Sequence, residues 1–389
     1  MEKIYQEALE LHEKFQGKIE TNIKQNLTKD DLSLIYTPGV AQPCKEIVKN
    51  KANVYKYTMK SNTIAVITDG SAVLGLGNIG AEASLPVMEG KCALFKRFGD
   101  VNAFPICLNT QDTNEIIGII KHISPGLGGI NLEDISAPRC FEIEEKLKKE
   151  LNIPIFHDDQ HGTAIVVLAF LINALKLIKK NKEDLNVVIN GAGAAGFAIT
   201  NLLYKYGFKK IIVCDSKGII CKNRNDLNEY KQKLLLFTNK ENKSGLLEEA
   251  IKGADIFIGV SKGNLLTKNM IKSMNQKPVI LALANPTPEI FPTEAFDAGA
   301  YIVGTGRSDF SNQINNVLVF PALFHAILKL QINEITDDIK IRTAHAIAST
   351  IKEEELDINN ILPNVFNANL KENVLKELMK FKRENDNES

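Results

Sequence analysis

The 389-residue chain has no tryptophan, and aromatic residues make up only 7% of it. It also lacks an excess of either charge, because 47 Lys and Arg residues balance 47 Asp and Glu. Without a basic excess there is no broad field to hold a polyanion, so no nucleic-acid partner is expected. None of the six cysteines (Cys44, Cys92, Cys107, Cys140, Cys214, Cys221) forms a C-x-x-C pair, and they sit among apolar neighbours. That pattern reads as buried, reduced thiols rather than a disulfide or zinc framework. Long hydrophobic runs are missing as well. The longest, Ala164 to Ile172, is shorter than the roughly 20 residues that cross a bilayer. The N-terminus, MEKIYQEALELHEKFQGKIE, is charged and lacks the apolar core of a signal peptide. No membrane partner and a reduced, cytoplasmic location are the expectations.

What is present is enough apolar residue, 44% of the chain, for a large folded core, and the length is compatible with two domains. Residues up to about Leu32 read as helical, and Pro38-Gly39 then marks a turn. Apolar runs at Thr63–Thr68 and Ala103–Leu108 read as strands, with helices over Thr113–Lys121 and Ala137–Leu151. A long apolar helix is expected from Gly162 to Lys180. Short strands then recur at Asn186–Asn190, Lys210–Cys214, Ala254–Gly259, Val279–Ala284 and Tyr301–Gly304. Strand alternating with helix predicts a doubly wound parallel sheet of the Rossmann type. The stretch from Asn315 to about Phe381 reads as mostly helical, and Arg383–Ser389 as frayed. The fold class is therefore α/β. An N-terminal α/β domain (residues 1–160) precedes a dinucleotide-binding domain with a helical C-terminal extension (residues 161–389).

The pattern G-x-G-x-x-G occurs at Gly75–Gly80 and at Gly191–Gly196. Context separates the two copies. The second, which includes Ala194 and Ala195, follows the strand Asn186-Val-Val-Ile, opens an apolar helix from Phe197 to Tyr206, and is followed by a strand ending at Asp215. In a dinucleotide fold Gly191 makes the tight turn, Gly193 admits the pyrophosphate, Gly196 lets helix and strand pack, and the acid meets the ribose. The first copy shows no clean crossover after it and reads as a structural or substrate-side loop. A carboxylate at Asp215 favours NAD over NADP, but Lys217 and Arg224 lie close enough in sequence to reverse that preference.

Acids at Glu133-Asp134 and Asp158-Asp159 interrupt apolar or turn-like sequence instead of sitting in a solvated charge run. Carboxylate oxygens without thiolates suit Mg²⁺ or Mn²⁺. The same acids could simply cap helices. His157 and His161 flank the second pair at i, i+4, but without an H-E-x-x-H arrangement they fit orienting or packing roles better than zinc. Lys91 sits in the apolar setting Met88-Glu-Gly-Lys-Cys-Ala-Leu-Phe. There it is either an ion-paired lysine or, once desolvated, a neutral base.

Together these segments resemble the malic enzymes, specifically the short bacterial-type form. The matching stretches are YTPGVA at Tyr36, DGSAVLGLGNIG, LPVMEGK, GGINLEDI, FHDDQHGTA, GAGAAG, ALANPTPEI and TGRSDFSNQINNVLVFP, in that order. The resemblance implies oxidative decarboxylation of L-malate to pyruvate and CO₂, with reduction of NAD or NADP and a Mg²⁺ or Mn²⁺ ion. It implies Glu133, Asp134 and Asp159 as metal ligands, Lys91 as general base with Asp158 as its partner, and Tyr36 as general acid. It also implies that Asn285 and Asn316 contact substrate or nicotinamide, and that the protein is a homodimer. One departure stands out. Larger members carry a substrate-binding arginine where this chain has Ala72, which leaves Arg307 or a residue of another subunit as replacements.

Overall fold

A computed structural model of the chain describes residues 2–73 and 75–388. The first sheet contains β1 (Thr63–Thr68), β2 (Asn102–Cys107), β3 (Gly129–Leu132) and β4 (Ile155–His157), in the order β2-β1-β3-β4. All of its pairings are parallel. The second contains β5 (Asn186–Asn190), β6 (Lys210–Asp215), β7 (Gly218–Ile219), β8 (Ile256–Gly259), β9 (Val279–Ala282) and β10 (Ile302–Thr305). Its order is β10-β9-β8-β5-β6-β7, parallel except for the short β7. Strand order reverses at β5, so a crevice opens beyond the carboxyl ends of β5 and β8.

Burial explains why these strands read as unbroken apolar runs. Ile64, Ala65, Val66 and Ile67 of β1 are all fully buried, because helices cover both faces of a parallel sheet. One face of β1 (Ile64, Val66) shares a single apolar cluster with the helix Asp158–Ile178, with Val187 and Ile189 of β5, and with the C-terminal helices. The opposite faces of the two sheets pack into separate clusters beneath their own helices. The helix Asp158–Ile178 therefore lies at the centre of the molecule. At 21 residues it is long and apolar enough to cross a membrane by composition alone, yet most of it is buried in this core. It begins four residues earlier than the sequence pattern indicates, so that Asp158 and Asp159 form its first turn.

Several expectations are corrected. The first helix stops at Phe15, and residues 16–31 run irregularly. The first glycine-rich loop does have a crossover after it: the helix Ala81–Gly99 runs through Pro86 and Gly90 and leads to β2, which pairs parallel with β1. Pro86 is the sixth residue of this helix and removes the hydrogen bond to the Glu82 carbonyl, one reason the segment does not read as a clean helix in the sequence. β3 and β4 escape sequence detection because β3 opens on Gly129 after Gly128 and reads as a turn, and β4 has only three residues, too few for any period. The C-terminal helix Leu370–Glu388 continues through the segment expected to fray, and Ser389 lies outside the described residues.

The C-terminal helices are tied to the dinucleotide half by an ion-pair triad. Asp337, in the first turn of the helix Asp337–Ala348, pairs with Lys205 and, at 3.0 Å, with Lys340. Burial opposes ionisation of Asp337, but Lys340 and Lys205 outweigh it and hold the carboxyl down to about 2. A depressed folded-state value means stability that is present above the unfolded value, about 3.9, and lost as pH falls through about 2. Asp337→Asn is therefore expected to cost about 1–2 kcal/mol at pH 7, after discounting for solvent screening. The gap between variant and wild type should close in acid. Urea denaturation of both proteins across the acidic range checks this, and a gap independent of pH would contradict it.

Candidate active site

Four carboxylates and one lysine converge where the first sheet meets the central helix. β3 ends at Leu132 and delivers Glu133 and Asp134, which are 5% and 4% exposed. The turn of the helix Asp158–Ile178 that follows β4 delivers Asp158 and Asp159. Helix N-termini carry free N–H groups and a partial positive charge, which favours carboxylates there. From the facing helix Ala81–Gly99, the Lys91 ammonium reaches Asp158 at 2.7 Å and Glu133 at 2.8 Å. It also lies 4.2 Å from the centre of the Phe320 ring, an added attraction for a cation.

Ligand oxygens of Glu133, Asp134 and Asp159 lie within 4.8 Å of one another. One lysine faces four acids, so the cluster carries excess negative charge in a setting where Asp159 alone keeps substantial exposure. The consequences are legible in proton affinities. Burial, and then repulsion from Asp159, pushes Asp134 up to about 8. Glu133 is raised by burial, with Lys91 opposing and the neighbouring aspartates adding to the rise. Burial pushes Lys91 down, yet Asp158 and Glu133 outweigh it and hold the ammonium above the ordinary lysine value. One Asp134 oxygen is buried without a hydrogen-bond partner. The residues fit a hard divalent cation: the donors are all oxygen, their mutual repulsion needs a counter-charge, and an orphaned oxygen waits for a partner. Asp134 holds its place in a left-handed conformation, φ 52°, a strained state of the kind that concentrates at functional positions.

Supporting contacts fix this arrangement. Asn131 donates to Glu133 at 2.8 Å, and the Asp134 backbone N–H donates to Asp159 at 2.8 Å. Asn316 donates to the Asp158 carboxylate at 3.1 Å, while Thr163 donates to Asn316. Asn316 thus joins the cluster directly. Gly162 is packed so closely that an added Cβ would stand 1.9 Å from Asp158 Oδ1. Gly162→Ala must therefore displace Asp158. Since misplacing a catalytic group by about 1 Å costs roughly 100-fold, kcat should fall at least that much while dinucleotide binding persists. Steady-state kinetics and nucleotide titration check this; normal turnover would contradict it.

Among the described residues, neither His157 nor His161 joins the group of side chains that could hold a metal ion. His161 contacts Glu144 at 2.9 Å, and burial pushes the imidazole down to about 4. His157 is fully buried, 3.8 Å from Asp159.

Two groups beside the cluster have no clear sequence signal. Glu144 accepts hydrogen bonds from the His157 backbone N–H, Gln160 and, at 2.7 Å, Lys148, so it braces the turn that carries Asp158. Arg139 bridges to Asp69 at 2.9 Å and donates to Ser71 at 3.0 Å, and the Ala72 N–H donates to the Asp134 carbonyl at 2.9 Å. Arg139 meets Asp69 across 70 positions of the chain, a pairing that nothing in a single sequence indicates.

Tyr36 is placed elsewhere. It is 73% exposed, and its hydroxyl has no hydrogen-bond partner among the described residues. The N-terminal segment that includes it carries further exposed apolar side chains, Leu9, Phe15, Ile23, Leu34 and Ile35 among them. Arg307 is engaged by Asp309 through two hydrogen bonds and by the Pro286 carbonyl.

Across the crevice, β5 enters the second glycine-rich loop. Gly191 has φ +125°, and an added Cβ would meet the Val260 carbonyl at 2.6 Å. A Cβ on Gly196 would stand 1.7 Å from the Gly191 carbonyl, whereas Gly193 faces open space. The helix Ala194–Tyr206 starts directly at Ala194 and Ala195, leaving its first N–H groups free for phosphate. Asn285 follows β9 and approaches the first sheet's loop, where Gly75 faces Pro286. Asp215 closes β6, and its carboxylate is gripped by Arg224 and Lys231.

A phosphate-ready loop at a topological switch point, facing a buried oxygen-only acid cluster with its lysine, defines a dinucleotide-linked oxidoreductase suited to a hard cation. Comparison with known proteins narrows this. The family model described as malic enzyme, N-terminal domain, matches residues 13–148, and that of the malic enzyme NAD-binding domain matches residues 160–375. The chain belongs to the malic enzyme family. It is 54% identical to a bifunctional malic/malolactic enzyme of Bacillus subtilis, over 96% of this chain and 92% of that protein. It is 52% identical to an NAD-dependent malic enzyme of Geobacillus stearothermophilus, covering 92% and 75% of the two chains. An NADP-dependent malic enzyme of Haemophilus influenzae is 49% identical over 92% of this chain, which spans 48% of that longer protein. Among solved structures, an NAD-dependent malic enzyme from Thermotoga maritima superposes with a TM-score of 0.92 at 48% identity, covering 95% and 98% of the chains.

Proposed function

We propose that this chain converts L-malate to pyruvate and CO₂ while reducing a nicotinamide dinucleotide, with Glu133, Asp134 and Asp159 holding a Mg²⁺ or Mn²⁺ ion. The carrying observation is the contact of Lys91 with both Asp158 and Glu133 at the edge of a three-carboxylate pocket. A divalent ion there supplies Lewis acidity for the hydroxyl and keto oxygens of the substrate, and the dinucleotide supplies the hydride acceptor. Lys91 takes the C2 hydroxyl proton. Glu133, once engaged as a ligand, would lose part of the field that keeps the ammonium protonated, and the burial of Lys91 would then favour the neutral amine. Asp158, fully buried and held by Asn316, keeps Nζ aimed into the pocket and stabilises the ammonium that forms when Lys91 takes the proton. Asn285, at the carboxyl end of β9, is positioned beside the nicotinamide path.

Tyr36 protonates C3 of the enol product only if it reaches the pocket, and within one chain it stands apart from Lys91. The exposed apolar residues of the N-terminal segment are the surface on which a homodimer forms, and Tyr36 of the partner subunit then completes the site. Mixing inactive Tyr36→Phe with inactive Lys91→Ala protein is expected to restore up to about a quarter of wild-type activity, since random pairing places both defects in one site. No recovery after verified subunit exchange would contradict the arrangement.

A second reading is supported by the bifunctional malic/malolactic relative. If the reduced dinucleotide stays bound, its hydride returns to pyruvate, and malate yields lactate and CO₂ with no net redox change. Absorbance at 340 nm with L-malate and Mn²⁺, with and without EDTA, separates the two. Metal-dependent accumulation of free reduced dinucleotide supports the first, and its absence with lactate formation supports the second.

A further inference from the structure

At the end of β6, where a dinucleotide fold places the acid that receives the adenosine ribose, Asp215 has no acceptor left to offer. An ionised carboxylate has about four lone-pair positions. Oδ1 accepts from Arg224 Nη1 at 2.7 Å and from the Lys217 backbone N–H at 2.9 Å. Oδ2 accepts from Arg224 Nη2 at 3.0 Å and from Lys231 Nζ at 2.6 Å. The carboxylate is turned inward, 7% exposed, and the hydrogen bonds from Arg224 and Lys231 outweigh its burial and hold it at about 2, ionised at any physiological pH.

The donors around it are not equally spent. Arg224 uses its full fork: Nε and Nη2 also bond Asp226, and Nη1 also points to the Gly218 carbonyl. Lys231 gives one hydrogen bond to Asp215, leaving two of its three ammonium donors and a side chain that is 25% exposed. Its helix is pinned by Asn228, whose side chain accepts the Lys231 backbone N–H at 2.9 Å. Lys217 pairs with Asp226 at 2.9 Å and is 67% exposed. The network therefore sets three cations against two carboxylates, and its unspent groups are ammonium donors. A ribose 2′-hydroxyl would find its acceptor occupied; a 2′-phosphate would find donors and a net positive field.

We propose that the ribose subsite of this chain takes a 2′-phosphorylated dinucleotide, NADP, in preference to NAD, with Lys231 contacting the phosphate and Arg224 acting as the positioning residue that keeps Asp215 turned away. This rests on the reading of Gly191–Gly196 as the dinucleotide loop, and it reverses the preference that Asp215 alone implies.

Calorimetric titration of the whole protein with adenosine 2′,5′-bisphosphate and with 5′-AMP tests the proposal without turnover. Wild type should bind the bisphosphate at least about tenfold more tightly, since a charge-assisted contact is worth about 1.5–3 kcal/mol. Lys231→Gln should erase most of that advantage and leave 5′-AMP binding within about threefold, while Lys231→Arg should keep it. Equal or tighter binding of 5′-AMP to wild type would overturn the subsite. An unchanged bisphosphate advantage in a folded Lys231→Gln protein would overturn the assignment to Lys231. Binding of neither nucleotide would overturn the dinucleotide-loop reading and this proposal together, whereas a preference for 5′-AMP leaves that reading intact.

Discussion

Lys91→Ala is expected to lower kcat for malate oxidation by roughly 10²–10⁴, the usual contribution of a positioned acid–base group, with little change in dinucleotide affinity. The same substitution should destabilise the metal-free protein by about 3–5 kcal/mol, because truncating one partner of a buried ion pair leaves the other uncompensated. Here two partners are left, Asp158 at 0% and Glu133 at 7% side-chain exposure. Lys91→Arg separates the two effects. The guanidinium keeps the charge, and therefore much of the stability, but it does not deprotonate in the working pH range and cannot serve as base. Rescue of Lys91→Ala by small primary amines would mark a proton-transfer role that a structural defect would not show. Near-normal turnover of either variant would remove Lys91 from the chemistry.

The second large effect runs in the opposite direction for stability. Asp134→Asn removes one of three clustered carboxylates, and Mn²⁺ binding should weaken by about 100-fold or more, since loss of mere outer contacts to a metal site already costs 10–100-fold. Activity at limiting metal should fall in parallel. The metal-free variant, however, should be more stable than metal-free wild type by about 1–3 kcal/mol, because the cost of burying an acid there, and the repulsion from Asp159 that adds to it, are relieved. Spectroscopic Mn²⁺ titration and thermal melts in EDTA read the two quantities independently. Unchanged metal affinity would remove Asp134 from the ligand set. A less stable metal-free variant would mean that Asp134 is held by contacts other than the repulsive cluster.

The opposed signs follow from one feature of the site: it is built with too much negative charge for its own burial. A lysine supplies part of the compensation, and the cation supplies the rest. Removing the lysine worsens the imbalance, and removing a ligand improves it at the expense of function. Stability given up at the place where chemistry occurs is a common trade.

Much of this was readable before any coordinates. β1 and β5 fall at the residues their apolar runs indicate, Thr63–Thr68 and Asn186–Asn190, because strands covered on both faces leave long β-branched signatures. The acids at 133–134 and 158–159 stood out for the reason that they converge: each pair ends a buried strand. What was hidden depends on distance across the fold. Arg139 beside Asp69, and Glu144 beneath the His157 N–H, are pairings of residues 70 and 13 positions apart, which no local spacing encodes. The early start of the helix at Asp158 was missed because charged residues in a first turn look like loop. Asp215 taught the reverse lesson. Its position was correct for a ribose acceptor, but its availability depends on Arg224 and Lys231, and only the hydrogen-bond count shows that it is already engaged. Tyr36 follows a segment, up to about Leu32, whose apolar residues read as helical, yet Leu9, Phe15 and Ile23 within it remain exposed in the single chain.

The account turns on the fate of the malate carbons. Carbon-13 NMR of uniformly labelled L-malate, incubated with the protein, Mn²⁺ and an excess of oxidised dinucleotide, follows all of them at once. Conversion to labelled pyruvate and bicarbonate in equal amounts, abolished by EDTA, is the predicted result. Accumulation of labelled oxaloacetate as the final product, or of lactate from the earliest times, would contradict it.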